Sequence, residues 1–127
     1  MDQLIHIILL EDKLDDAEII QIELQQAGIE FDCVTVKTLE DFERHLQPEV
    51  NLILADYSLP SFTALQALEL LNSYHNLDIP FIIVSGVISE ELAVESMKRG
   101  AADYLLKDRL TRLGHAVPAL ALQRPDQ

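Results

Sequence analysis

The sequence predicts an α/β domain with a doubly wound, five-stranded parallel sheet, and two observations carry that prediction. Short apolar runs rich in β-branched residues alternate five times with amphipathic segments of helical period. Three of the runs are apolar almost throughout, as strands covered on both faces must be.

The elements follow in order. Strand one is read over Leu4–Leu10, and Asp15-x-x-Glu18 after it has the form of a capping box. Ala17, Ile20, Leu24 and Ala27 then fall on one helical face, and Gly28 is placed to end helix one. Phe31–Val36 carries more polar residues and reads as an edge strand. Thr38-x-x-Asp41 starts helix two, which buries Leu39, Phe42 and Leu46 and stops before Pro48. Asn51–Ala55 is strand three, and helix three runs from about Phe62 to Ser73 on a spine of Leu65, Leu68 and Leu71. Pro80–Val84 is strand four. Ser89 caps helix four, whose inward face includes Ala93 and Met97 and which Gly100 ends. Ala102–Leu106 is strand five, and helix five begins after Asp108. Gly114 and Pro118 interrupt its pattern, so it either starts late, near His115, or is kinked.

With 127 residues, 49% of them hydrophobic, the chain has material for one core and too little for two ordinary domains. Residues 1–123 are read as that domain and 124–127 as a polar tail. The longest apolar runs, Leu4–Leu10 and Phe81–Val84, fall far short of the roughly 20 residues that cross a bilayer. Met1-Asp2-Gln3 lacks the positive region of a secretory signal, so no membrane association and a cytoplasmic location are expected. The lone Cys33 has no partner for an internal disulfide and reads as a small buried apolar residue. A formal charge of −13 repels phosphate backbones and argues against direct nucleic-acid binding.

In open α/β sheets ligands bind at the carboxyl ends of the strands, near the switch in strand order. Those ends hold Glu11 and Asp12 after strand one, Asp56 after strand three, Ser85 and Gly86 after strand four, and Lys107 after strand five. Singly each is ordinary, since an aspartate after a strand is usually a turn residue and Ser-Gly is a turn dipeptide. Together, three carboxylates at one rim repel one another strongly unless a cation or protons intervene. Mg²⁺ suits them because it prefers carboxylate oxygens and keeps several waters, whereas no histidine or thiol at a matching end suggests zinc. A carboxylate lying between Mg²⁺ and an ammonium can attack phosphorus while both cations neutralise the phosphoryl oxygens. The Ser85 hydroxyl and nearby backbone N–H groups can donate to the remaining oxygen, and the product is an aspartyl phosphate.

Four stretches in the same order resemble the receiver domain of bacterial response regulators, over essentially the whole chain. Ile8-Leu9-Leu10-Glu11-Asp12-Lys13-Leu14-Asp15-Asp16-Ala17 resembles its first-strand motif and Leu54-Ala55-Asp56-Tyr57-Ser58-Leu59-Pro60 its phosphoacceptor motif. Val84-Ser85-Gly86 resembles the switch hydroxyl with its small follower, and Gly100-Ala101-Ala102-Asp103-Tyr104-Leu105-Leu106-Lys107 the last strand with its lysine. The resemblance implies a flavodoxin-like fold of strand order 2-1-3-4-5. It implies Asp56 as phosphoacceptor, Lys107 against the phosphoryl group, and Ser85 and Tyr104 as the pair that switches when phosphate arrives. Asp12, Asp56 and the backbone carbonyl of Ser58 would ligate Mg²⁺ directly and Glu11 through water, with Asp15 and Asp16 capping helix one instead. The implied function is phosphorelay: a histidine kinase or phosphotransfer protein donates, Asp56 accepts, and interactions with a downstream output protein or domain change. The chain would then be no enzyme on separate substrates, since it catalyses transfer to, and hydrolysis from, its own aspartate. A homodimer through helix four, strand five and helix five is one arrangement that many family members use.

Departures from the family pattern bear on these expectations. Asp108 stands where the family usually has a proline joined through a cis bond; a cis bond before a non-proline residue costs about 3 kcal/mol, so a trans Lys107–Asp108 bond is expected. A Lys-Asp ending resembles receivers that stand alone or are attached to sensor kinases and other signalling proteins. Ser61 replaces a common glycine. Ser58 and Val87 stand where side chains tune phosphate lifetime, and neither orients water well, which implies a persistent phosphate. His6, His45, His75 and His115 have no ligand partner at helical or hairpin spacing, and Arg99, Arg109 and Arg112 read as surface cations or partner contacts.

Three rivals remain. A pseudo-receiver, the same fold acting only as an interaction module, would have lost an acid or the lysine. A flavodoxin-like electron carrier needs a hydroxyl- and glycine-rich loop after strand one, where Glu11–Asp16 would repel the flavin phosphate. An aspartyl-phosphate phosphatase would carry two aspartates two positions apart after strand one, a spacing that Glu11-Asp12 lacks.

Overall fold

A computed structural model describes residues 4–87 and 89–122, so the predicted tail, 124–127, lies outside the described residues. Along the chain run β1 (Ile5–Leu10), α1 (Leu14–Gln26), β2 (Phe31–Val36), α2 (Leu39–Arg44), β3 (Leu52–Asp56), α3 (Ala64–Asn72), β4 (Phe81–Ser85), α4 (Glu90–Lys98) and β5 (Asp103–Leu106). A 3₁₀ turn (Leu110–Arg112) then leads into α5 (Leu113–Ala121). The sheet is parallel throughout in the order β2-β1-β3-β4-β5, as expected. β3 and β4 each end one residue later than the sequence suggests, so Asp56 and Ser85 close their strands rather than follow them.

Side-chain alternation along the strands builds two cores. Ile8, Leu10, Ile53, Ala55, Phe81 and Ile83 face α2 and α3, which contribute Phe42, Ala67, Leu68 and Leu71. Phe42 and Phe81 meet edge to face, ring centres 6.4 Å apart at 89°, the arrangement that ring quadrupoles favour. On the other face Ile7, Leu9, Leu52, Leu54, Ile82 and Val84 meet Ala17, Ile20 and Leu24 of α1 and Leu113, Val117 and Ala121 of α5. β1, β3 and β4 are covered on both sides, which is why their sequences are nearly all apolar.

Helix ends largely follow the sequence signals. Thr38 Oγ1 accepts from the Asp41 N–H at 3.1 Å and Ser89 Oγ from the Leu92 N–H at 3.1 Å. Gly28, at φ 79°, ends α1 with its N–H donating to the Gln25 carbonyl and that of Ile29 to Leu24. Helix three is shorter than predicted: Thr63 precedes its first turn and donates its N–H to Gln66 Oε1.

Three local expectations are corrected. Lys13, not Asp15, is the N-cap of α1; its ammonium side chain has no acceptor and caps nothing, while its backbone N–H donates to Glu11 Oε2 at 3.2 Å. Asp15 and Asp16 lie in the first turn, where their charges complement the helix dipole. Ala27 is exposed at the C-cap rather than buried. In α4 the buried residue is Ser96, whose hydroxyl donates to the Leu92 carbonyl at 2.6 Å and so brings no unmet polar group into the interior; Met97 is 47% exposed. Helix five takes the first of its two expected forms, a late start: a 3₁₀ turn leads into α5 at Leu113, two residues before His115, with Pro118 inside the helix. Among the described residues no peptide bond is cis, so Lys107–Asp108 is trans, as the missing proline requires.

Candidate functional site

Strand ends bring the predicted acids together. Glu11 leaves β1 with its N–H donating to Val36 of β2, which holds its side chain inside the rim, and Asp56 ends β3; both are buried and Asp12 is half-buried. One carboxylate oxygen from each of Glu11, Asp12 and Asp56 lies within 4.8 Å of the others. Lys107 reaches the cluster from the end of β5, its backbone N–H fixed on the Ser85 carbonyl at 2.8 Å. Its Nζ stands 3.2 Å from Glu11 Oε1, 3.3 Å from Asp56 Oδ1 and 2.7 Å from Asp16 Oδ2.

Electrostatics here is unbalanced. Burial, and then the Asp56 charge, hold the Glu11 carboxyl above its usual range despite the nearby ammonium and the Lys13 N–H. For Lys107 burial works downward, but the Asp16 hydrogen bond and the Glu11 and Asp56 charges outweigh it and hold the ammonium above its usual value. Glu11 Oε1 is buried without a hydrogen bond; the ammonium lies within ion-pair distance but out of line. A buried carboxylate oxygen with no donor, in an all-oxygen group of three acids, fits a hard divalent cation such as Mg²⁺.

Ser85 is buried, and its Oγ exchanges long hydrogen bonds of 3.2–3.3 Å with the Val87 backbone. Those weak contacts leave the hydroxyl available to an acceptor at the rim. Tyr104 is half-buried, with a buried hydroxyl that has no hydrogen-bond partner among the described residues. Ser58 is exposed on the turn after β3, bridged to Thr63.

Asp16 is the site residue that sequence reasoning missed. It was assigned to capping, yet it makes the shortest contact to Lys107. One signal was available: Asp16 precedes Ile20 by one helical turn, so it shares the face of α1 that meets the sheet. The remaining candidates lie elsewhere. His6 pairs with Asp32 at 2.9 Å, His45 Nδ1 meets the Asp41 carbonyl at 2.8 Å, and Arg99 and Arg112 pair with Glu95 and Asp103 at 2.6 Å. Cys33 is half-buried, and burial pushes its thiol up to about 11, so it is inert at neutral pH. Among the described residues no helix is long and apolar enough to cross a membrane.

The transcriptional regulatory protein VxrB of Vibrio cholerae is 30% identical over 101 residues, 80% of this chain and 39% of its own length. The chain thus spans well under half of that relative. Among solved structures, the phosphorylated cyanobacterial phytochrome response regulator RcpA superposes with a TM-score of 0.77 at 23% identity, covering 98% of both chains. The Mn(2+)-bound form of response regulator Rcp1 does so with a TM-score of 0.74 at 22% identity, covering 95% of this chain and 96% of its own. These two likenesses show the shared fold. The family model described as response regulator receiver domain matches residues 7–117, and the chain therefore belongs to the response regulator receiver family, the receiver module of two-component signalling.

Proposed function

We propose that this receiver accepts a phosphoryl group on Asp56, beside a Mg²⁺ held by Asp12, Asp56 and the Ser58 carbonyl, with Glu11 acting through water. The single observation that carries the reading is the Lys107 ammonium 3.3 Å from Asp56, beside three clustered carboxylates of which two are buried. Asp56 supplies the nucleophilic oxygen, and the bond it forms to phosphorus replaces the phosphorus–nitrogen bond of a phosphohistidine on a kinase or phosphotransfer protein. The imidazole leaves with the electron pair and takes a proton. A bound divalent cation would neutralise phosphoryl oxygens and the crowded carboxylates. Lys107, beside Asp56, neutralises a further phosphoryl oxygen, and Ser85 gives up its long contacts to Val87 to donate to the third oxygen. Tyr104, whose hydroxyl is already buried, then repacks behind Ser85 and alters the surface offered to an output partner, through the face of α4, β5 and α5, where a homodimer would also form. The transfer is self-catalysed, so no separate substrate is turned over.

Acetyl phosphate and Mg²⁺ test this directly. Intact mass should show one added phosphoryl group, absent when chelator is present from the start in place of Mg²⁺ and absent in Asp56→Asn. Equal labelling of that variant would overturn the assignment and favour the pseudo-receiver reading.

A further inference from the structure

The Lys107 ammonium is divided between two places. It lies 3.2–3.3 Å from Glu11 and Asp56, inside the carboxylate cluster, and 2.7 Å from Asp16 on the first turn of α1, outside that cluster. The hydrogen bond runs to Asp16 Oδ2.

The charges explain why the division matters. Glu11, Asp12 and Asp56 carry three negative charges, and the ammonium offsets part of them. A divalent cation entering the cluster meets that ammonium as a like charge at its own ligands. Were the cluster its only partner, the ammonium would have to be driven into solvent or endured beside the metal. Asp16 supplies a third course, because its carboxylate already holds the ammonium from outside and can take the whole of it. We propose that Asp16 is a positioning residue that draws the Lys107 ammonium toward α1 and so lowers its competition with the divalent cation at Glu11, Asp12 and Asp56. This rests on the cation-binding reading above, and Asp16 acts through Lys107 without ligating the metal itself.

Asp15 provides the control. It is exposed in the same helical turn, and Asp15→Asn removes the same charge and a similar share of helix-dipole stabilisation. Mg²⁺ affinity is measured by titration calorimetry on the whole chain for wild type, Asp15→Asn and Asp16→Asn, and again for both substitutions in a Lys107→Met background, with thermal melts confirming that each variant is folded. Asp16→Asn should weaken Mg²⁺ binding by roughly three- to tenfold more than Asp15→Asn does. In the Lys107→Met background that excess should vanish, because the residue through which Asp16 acts is gone. Equal effects of the two substitutions overturn the inference, and so does an excess that survives without the lysine. A wild type that binds no Mg²⁺ fails the cation reading itself, whereas a wild type that binds with equal variants fails the inference alone.

Discussion

Lys107 Nζ lies 3.3 Å from Asp56 Oδ1, so a cation from the last strand closes the acidic rim left by the first and third. Its side chain is 20% exposed, while those of Glu11 and Asp56 are almost fully buried. Lys107→Met should therefore cost on the order of 2 kcal/mol in metal-free urea unfolding, less than the roughly 3–5 kcal/mol of a fully buried pair because water reaches the ammonium. Mg²⁺ should restore much of that stability, whereas phosphoryl uptake by Asp56 should stay at least about tenfold slower, since the ammonium beside the acceptor is gone. Unchanged stability in chelator would show that the ion pair is idle.

Glu11 predicts a pH dependence whose sign can be worked out. Its carboxyl is held above the ordinary 4.5, so the folded protein binds this proton more tightly than the unfolded chain does. The stability this contributes is fully present below pH 4.5 and is lost as the pH rises through the folded value. In chelator, Glu11→Gln should gain thermal stability relative to wild type from about pH 4 to about pH 8, the direction set by linkage. Adding Mg²⁺ at neutral pH should reverse the order, because the cation stabilises only where the third carboxylate remains. Melts in chelator that stay parallel across this range would show that the buried carboxylate is already compensated.

Which parts were legible in the sequence follows from period. A strand covered on both faces is apolar almost throughout and so announces its own end, which placed Glu11, Asp12, Asp56 and Ser85 before any coordinates, while Lys107 was placed by the end of the shorter edge run Ala102–Leu106. Helix phase is less forgiving, because one residue is 100° of rotation. The N-cap of α1 lies two residues earlier than the capping-box pattern places it, at Lys13 and not Asp15, where the Lys13 N–H donates to Glu11 Oε2, a bond between side chain and backbone that no pattern of apolar residues encodes. That shift separates a capping aspartate from an Asp16 that meets Lys107. A one-residue error put Met97 inside α4 in place of Ser96, whose burial depends on a hydroxyl bonding back to Leu92.

Gly114 predicts a packing constraint. A Cβ placed there would come within 2.8 Å of Ala27 Cβ, so the start of α5 and the end of α1 are closer than two side chains allow. Alanine favours a helix interior over glycine by about 1 kcal/mol, but overpacking costs roughly 1–3 kcal/mol, and a Cβ on the Ala27 backbone cannot swing aside. Gly114→Ala should lower the unfolding free energy by about 1 kcal/mol net, and Ala27→Gly in the same chain should recover part of it. A stabilised Gly114→Ala would mean that the two helices part at no cost.

Tyr104 predicts the opposite sign for a deletion. Its hydroxyl is buried with no hydrogen-bond partner, while its backbone N–H is occupied by Asp103 Oδ1 at 2.8 Å, so the ring is held and its polar tip is not. A buried donor left unmet costs about 1–3 kcal/mol, and the ring's packing is unchanged when the oxygen alone is removed. Tyr104→Phe should therefore stabilise the metal-free protein by about 1 kcal/mol in urea unfolding, while Tyr104→Ala, which also empties the ring's space, should destabilise it by about 2–4 kcal/mol. Those opposite signs separate the oxygen from the ring. If the hydroxyl gains a partner once Asp56 is phosphorylated, the advantage of phenylalanine should shrink or invert in the phosphorylated protein, because only tyrosine then has a bond to lose. A Tyr104→Phe variant already less stable than wild type before phosphorylation would show that the hydroxyl is bonded in the resting state and has nothing to gain by turning.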